Sequence, residues 1–265
     1  MGRVARAMVL HELVERTRDR WVLVISALFA LLASAVSLYG RGAEAGAAHL
    51  VGPSLVTLAS MLVPLIALVL GHDAVVGERE RNTLGLLLSL PVNRLEVVAA
   101  KFLGRLLSLA LAVGVGLGAA IATAPSGHAG VLAQLYLPTM LLGAAFLSVG
   151  VLVSTLTARQ VTAATLTVAI WFLAVLFYDL GLLGLLVATD GGVSSATVSN
   201  LVVANPTGLF RLEMMQAFAA SGQLNTLGVD AGLPGAGGIA CIWSAWILGP
   251  VLLSGLALQR QKVAR

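Results

Sequence analysis

The residues that could do metal, nucleophilic or phosphate chemistry are few and scattered. The four histidines stand far apart, at positions 11, 49, 72 and 128, with no H-E-x-x-H pair and no nearby cysteine to complete a zinc site. No Gly-x-Ser-x-Gly nucleophile motif occurs, and neither Lys101 nor Lys262 follows the glycines of a phosphate-binding loop. The sequence therefore predicts no catalytic residue, no metal and no cofactor bound by this chain, and it excludes ATP hydrolysis by this chain alone.

Three other features have both a chemical and a simpler interpretation. Asp179 is the one acid inside an apolar run; it could bind an ion or proton in the membrane, but we favour a place at the outer interface, beside Tyr178. Met214 and Met215 carry soft sulfur ligands that suit copper(I), but neighbouring residues face different sides of a helix, which favours packing. Cys241 is the only cysteine, so an intrachain disulfide is excluded.

Composition indicates the class of protein. Of the 265 residues, 58% are hydrophobic and only 11% are charged, whereas soluble domains carry about 25% charged residues. Apolar runs of about 20 residues, the length that crosses a bilayer, recur along the chain. The net charge of +4 does not indicate nucleic acid, because the basic residues stand at the ends of the apolar runs. The sequence predicts an all-α polytopic membrane protein.

We predict six transmembrane helices, an N-terminal interfacial helix at 1–20 and an extracytoplasmic loop at 189–237. The apolar run that ends at 188 is too long for one upright helix, so it is divided into a fifth span and a short re-entrant piece at 180–187. With both termini in the cytoplasm, the 16 Lys and Arg divide into 14 inside and 2 outside, Arg41 and Arg211, as the positive-inside rule requires. The predicted spans are 21–39, 53–70, 106–124, 131–156, 161–177 and 239–258.

The extracytoplasmic loop contains one clear helix signal. Asn205 followed by Pro206 is typical of an N-cap and the first helical position. The predicted helix runs to residue 220, and its apolar face should contact a periplasmic partner or the outer leaflet, while Arg211 and Glu213 are solvated. The candidate outer-face contacts are Phe210, Arg211, Met214 and Met215.

A charged segment at 77–101 separates the second and third predicted spans. Leu84, Leu87 and Leu88 follow the i, i+3, i+4 spacing of a narrow apolar helix face. Pro91 ends that helix, and the sequence N-R-L-E that begins at Asn93 is a capping box for the next one. A short amphipathic helix, a proline break and a newly capped helix together predict a rigid projection at the membrane surface, where another protein docks.

This segment resembles the signature of ABC-2 type permeases, in which an acidic E-x-x-x-x-T-L precedes a leucine run, a proline, an arginine and a lysine. The chain further resembles the membrane subunit, of the NosY type, in the ABC complex that matures nitrous oxide reductase, through DAVVGE at 73–78, YDLGLLGLL at 178–186 and NPTGLFRLEMM at 205–215. Asn82 and His72 depart from the pattern, since a glycine commonly precedes the threonine and an aromatic commonly precedes Asp73. The residues expected to couple to an ATPase are Glu78, Arg79, Thr83, Leu84, Leu87, Leu88, Pro91 and Arg94.

The resemblance implies a homodimeric permease of the bacterial inner membrane, similar to type V exporters, without catalytic activity of its own. Two cytoplasmic ABC ATPase subunits would bind ATP, and a coupling region at 72–105 would sit in a groove of each. In the nitrous oxide complexes a periplasmic β-helix copper-handling protein rests on the outer face, and the complex serves assembly of a copper–sulfur centre. The alternatives are a generic ABC-2 exporter, a secondary transporter with Asp179 as its coupling acid, and an intramembrane enzyme, for which no paired catalytic residues are found.

Overall fold

A computed structural model describes residues 3–17, 20–42, 50–89, 91–220 and 234–260, and all regular elements within these residues are helices. Positions 18–19 of the predicted N-terminal helix, 221–233 of the predicted outer loop, and Lys262 and Arg265 lie outside the described residues. The elements are α1 (Arg3–Thr17), α2 (Arg20–Gly42), α3 (Val51–Gly71), α4 (Val76–Glu80), α5 (Leu84–Leu88), α6 (Arg94–Thr123), α7 (Ala129–Ala133), α8 (Tyr136–Leu156), α9 (Gln160–Trp171), a π-helical segment (Phe172–Phe177), α10 (Tyr178–Ala188), α11 (Ser195–Ala204), α12 (Pro206–Ala220) and α13 (Ala236–Arg260).

Several helical stretches are long and apolar enough to cross a membrane. Five such stretches occur in the described residues, and they correspond to the predicted second to sixth spans: Val51–Glu80, Arg94–Thr123, Tyr136–Leu156, Gln160–Ala188 and Ala236–Arg260. The predicted start of the fourth span at 131 is wrong, because the short helix α7 (Ala129–Ala133) is separate and the long helix begins at Tyr136. The predicted first span lies in α2, whose apolar stretch Ser26–Gly42 is shorter. The protein is therefore an all-helical, multi-pass membrane protein.

The long helices run alternately between two ends of the bundle. At one end, Val51 at the start of α3 and Pro125 just past α6 both approach Gly40 of α2. At the other end, Asp73 just past α3 pairs with Arg16 of α1 and with Arg105 of α6. We call the first of these the hairpin end and the second the charged end.

Small residues let the helices pack closely. A Cβ atom added to Gly71 of α3 would lie 2.9 Å from the Cα of Gly150 in α8, so the two backbones touch at this point. Phe29 of α2 is fully buried and occupies the space that a side chain at Gly116 of α6 would need. Close approach of this kind replaces the hydrophobic driving force that is missing between helices in lipid.

The prediction that the fifth span breaks near residue 178 is wrong. α9, the π-helical segment and α10 form one continuous helical stretch, Gln160–Ala188, so 180–187 does not re-enter the membrane separately. The wider turns of a π-helix disturb the regular backbone hydrogen bonding, and Asn205 Nδ2 donates to the carbonyl oxygen of Ala174 in this segment at 2.7 Å.

Instead, α11 and α12 form a re-entrant hairpin. Its turn, at Asn205, lines one cavity together with Ala145 and Trp246, which stand near the middle of α8 and α13. At 1.5 Å per residue, these two residues lie about 14 Å below the hairpin-end termini of their helices. α12 then returns outward, and Phe218 packs on Gly52 near the start of α3. The segment predicted to be an outer loop with an interfacial helix thus dips to about the middle of the bundle.

Candidate functional site

The charged segment folds into two short helices rather than one. α4 and α5 are separated by a turn at Asn82, and Pro91 lies in the turn between α5 and α6. The capping box at the start of α6 is confirmed, since Asn93 N donates to Glu96 Oε2 at 3.2 Å. The predicted break at Pro91 is also confirmed, and the structure adds a second break at Asn82.

The backbone at Asn82 explains that second break. Its φ is 58°, in the left-handed region that glycine adopts freely and that asparagine tolerates better than most other residues. The turn is closed by a hydrogen bond from Thr83 N to Glu78 O at 3.0 Å. Asparagine can therefore replace the glycine that related permease signatures carry at this position.

Substitutions at Asn82 should separate backbone strain from side-chain contacts. We expect Asn82→Gly to leave the free energy of unfolding nearly unchanged and Asn82→Val to lower it by about 1–2 kcal/mol, because a β-branched residue is strained at positive φ. The measurement is unfolding of the purified protein in detergent. Ser89→Val is the control, since the φ of Ser89 is −82°. An Asn82→Val variant as stable as this control would show that the turn is not left-handed.

The leucines of α5 are divided between two surroundings. Leu84 and Leu88 are partly buried and pack against the hydrophobic core of the bundle, and Leu87 is half-buried. Leu86 is 73% exposed. Leu84 and Leu88 thus attach α5 to the bundle, and Leu86, which lies outside the predicted stripe, is the leucine that a partner can reach most fully. The docking role of Leu84, Leu87 and Leu88 stays a prediction.

A chain of ion pairs in which acids and bases alternate lies behind α4 and α5. Arg16 Nη1 lies 2.8 Å from Asp73 Oδ2, and Arg105 Nη1 lies 2.5 Å from Asp73 Oδ1. At the other end of the chain, Lys101 Nζ lies 2.9 Å from Glu78 Oε1. In order, the members are Arg16, Asp73, Arg105, Glu12, Lys101 and Glu78.

Glu12 is the central acid of this ion-pair chain. It pairs with Lys101 and, at 3.2 Å, with Arg105 Nε, and both basic side chains are only 1% exposed. Burial alone would raise the pKa of Glu12, but the positive charges of Arg105 and Lys101 lower it below its ordinary value. The three acids and three bases cancel, so removal of one member leaves a buried charge without its partner.

The ion-pair chain was not predicted, because its members come from three separate segments. The sequence did contain a sign of these buried charges. Glu12 and Arg16 are four residues apart, and so are Lys101 and Arg105, so each helix presents two charges on one face. The segment predicted to be an N-terminal interfacial helix therefore packs on the bundle through α1, where Glu12 and Arg16 are buried. A side chain at Gly104 would collide with α1, so this glycine allows α1 and α6 to approach.

Other charged side chains of the predicted coupling region (72–105) bind the ends of neighbouring helices. Arg79 donates to a carbonyl just past α8, and Arg94 donates to two carbonyls in the last turns of α13 at 2.6 and 2.9 Å. Glu80 accepts a hydrogen bond from the first N–H of α9 at 2.7 Å. Each contact satisfies a helix-terminal backbone group and has the sign that the helix dipole favours. The coupling region is thereby attached to α8, α9 and α13.

Comparison with known proteins decides the family. The model of the ABC-2 family transporter protein matches residues 6–263. The chain belongs to the ABC-2 transporter family.

It is 36% identical over 235 residues to the "Probable ABC transporter permease protein NosY" of Pseudomonas aeruginosa, covering 84% of this chain and 86% of the relative. It is 38% identical over 267 residues to the protein of the same name from Stutzerimonas stutzeri, covering 95% and 96%. It is a non-catalytic membrane subunit, and in this family ATP is bound by a partner ATPase subunit.

In the half of the bundle nearer the hairpin end, Asp179 pairs with Arg211, whose Nη2 lies 2.5 Å from Asp179 Oδ2. Asp179 is therefore not an isolated acid, and the prediction that Arg211 is merely solvated is wrong. The predicted N-cap is confirmed, because Asn205 Oδ1 accepts a hydrogen bond from Thr207 N at 3.1 Å. Glu213 also has a specific partner, since Trp243 Nε1 donates to its Oε2 at 3.2 Å.

The prediction that the apolar face of α12 is uncovered is wrong. Phe210, Met214 and Phe218 are buried in the permease's own core, where α12 packs against α3 and α8. The apolar residues that were expected to attract a partner instead anchor the re-entrant hairpin. Met215 is 38% exposed and remains a candidate outer-face contact, as does the half-buried Arg211.

The permease offers no metal centre of the usual kind in the residues that the structure describes. Within them, no three His, Cys, Asp or Glu side chains come close enough to hold a metal ion. Met214 is buried and Met215 is exposed, so the two sulfur atoms have different surroundings, in agreement with the prediction of packing.

Proposed function

We propose that this permease couples ATP hydrolysis on a separate cytoplasmic ATPase to movement of its membrane helices through the coupling region. The observation that carries the proposal is the continuity of contacts from α5, which exposes Leu86, into the bundle. α5 is joined to α4 by hydrogen bonds between Thr83 and Glu78, and Glu78 begins the ion-pair chain that reaches α1 and α6. A load applied at Leu86 would therefore move several helices together.

The proposed topology has six spans with both termini in the cytoplasm. α2 supplies the sixth span, because it packs along α6 and α3 between the same two ends as the five longer stretches. The division of the basic residues supports this orientation, since Arg41 and Arg211 alone stand on the outer side of the six-span arrangement. The charged end then faces the ATPase.

Cysteine labelling tests this topology. In a Cys241→Ala background, Ser89→Cys should react with a membrane-impermeant reagent only from the cytoplasm, and Ser195→Cys only from outside. Both serines are exposed, so each cysteine should show on which side of the membrane its residue lies without disturbing the fold. If Ser195→Cys is labelled only from the cytoplasmic side, the six-span arrangement is wrong.

We further propose that the transporter serves maturation of the copper–sulfur centre of nitrous oxide reductase. The similarity to two proteins named NosY over most of their length supports this role. The proposed assembly contains two copies of the permease, two ATPase subunits and a periplasmic β-helix copper-handling protein at the hairpin end. A second copy and lipid would cover the exposed apolar residues of the helical stretch Gln160–Ala188, such as Leu173 and Leu183.

Complementation tests the proposed role. In a nitrous-oxide-reducing bacterium that lacks its own permease gene, expression of this chain with its ATPase should restore reductase that carries the copper–sulfur centre, detected by its visible absorption and by nitrous oxide consumption. A chain that reaches the membrane and retains the ATPase but restores neither signal would instead be an ABC-2 exporter for another substrate.

A further inference from the structure

We infer that the hairpin end contains a lipid site, a groove along α13 that binds a phospholipid with a primary ammonium headgroup through the carboxylate of Glu213. The groove has a volume of about 550 Å³ and lies between α13, α12 and α8, with Glu213 and Leu141 contributed by the latter two helices. The α13 residues that line it occupy positions 236, 239, 240, 243, 244, 247 and 248.

These positions follow a single face of the helix. Their spacing of three and four residues is that of an α-helical stripe, and the stripe spans 13 residues, a rise of about 18 Å. One leaflet of the hydrocarbon core is about 15 Å thick. The groove therefore has the direction and length of an acyl chain that enters from the hairpin-end surface and reaches the middle of the membrane.

Glu213 supplies the one acidic group of the lining. The nearest basic residue in the sequence, Arg211, is turned to Asp179, and Trp243 Nε1 fixes the carboxylate by donating to Oε2. A carboxylate has about four acceptor positions, so it can accept further donors from a ligand. A half-buried acid at this depth calls for a partner of opposite charge, and a primary ammonium brings both the charge and N–H donors.

Two common zwitterionic lipids differ in whether their headgroups can donate a hydrogen bond to Glu213. Phosphatidylethanolamine has an ammonium group that can donate hydrogen bonds to Glu213, whereas the trimethylammonium of phosphatidylcholine has no N–H. A hydrogen bond to a charged group changes an affinity by about tenfold or more. The site should therefore prefer the ethanolamine lipid by at least that factor, while the apolar wall binds the chains of both alike.

Native mass spectrometry of the full-length protein, purified with equimolar ethanolamine and choline lipids of the same chain length, tests the inference. Wild type should retain the ethanolamine lipid at least about tenfold over the choline lipid, and Glu213→Gln should abolish the preference. Asp190→Asn, which removes an exposed acid near the same end, is the control and should behave as wild type. Ala240→Trp, which fills the groove, should lose retention of both lipids.

Two results would overturn the inference. The first is an unchanged lipid preference in Glu213→Gln. The second is unchanged lipid retention in Ala240→Trp, together with loss of the dimer mass in either variant. That combination would show that a second copy of the chain, and not a lipid, covers the groove. The readout is bound lipid, so it does not depend on whether the transporter serves nitrous oxide reductase.

Discussion

Replacing Lys101 with methionine is expected to lower the free energy of unfolding by about 3–5 kcal/mol, because the buried carboxylate of Glu12 loses one of its basic partners. Lys101 is 1% exposed and joins Glu12 to Glu78. Methionine has a similar length, so the loss should come from the uncompensated charge rather than from a cavity. The folded fraction of the purified protein is measured in detergent as the denaturant concentration rises. The yield of monodisperse protein is then compared between the variant and the wild type.

Two variants make this expectation specific. Arg81→Met removes a base that is 60% exposed and pairs with Glu15 at 3.2 Å, and an exposed pair should cost only about 0–1 kcal/mol. The double variant Glu12→Gln/Lys101→Met restores the balance of acids and bases and should recover part of the loss. Equal stabilities for Lys101→Met and Arg81→Met would show that the ion-pair chain does not hold the charged end together.

The second large effect concerns α5. Leu86→Asp should leave the permease folded but weaken ATPase binding by about thirtyfold or more, since loss of one central apolar anchor typically costs about 2 kcal/mol or more. Leu88→Asp should instead reduce folding, because Leu88 packs against the core. Co-purification of the ATPase, together with the elution profile of the permease, distinguishes the two outcomes.

Leu86→Met is the control, because it keeps an apolar side chain at the exposed position and should retain the ATPase. If Leu86→Asp binds the ATPase as wild type does, α5 is not the docking element. If Leu88→Asp is folded and loses only the ATPase, α5 presents Leu88 rather than Leu86 to the ATPase.

The local signals in the sequence predicted local structure well. The apolar runs gave the positions of the spans, the capping box at Asn93 and the N-cap at Asn205 are both present, and Pro91 separates two helices. These features depend on residues a few positions apart, so spacing alone reveals them. Within the predicted docking element, however, spacing could not show which of the leucines the bundle covers.

The contacts that spacing did not reveal are long-range charge pairs. Asp179 was interpreted as the end of a span because an acid in an apolar run should reach water, but its partner Arg211 stands 32 residues later, and the pair allows one helix to continue to Ala188. The burial of Phe210 follows from the re-entrant hairpin, and no local pattern separates a re-entrant helix from an interfacial one. The burial of Glu12 and Arg16 in α1 was likewise not predicted, because their partners lie in other segments.

Photo-crosslinking in cells tests most directly whether a separate ATPase docks on the exposed face of α5. A photoreactive phenylalanine analogue is placed at Leu86, which is 73% exposed, or at Leu137, which is 67% exposed near the hairpin end. We expect a crosslink to the ATPase from position 86 and none from position 137. An ATPase that co-purifies with the permease but crosslinks only from position 137, or from neither position, would contradict it.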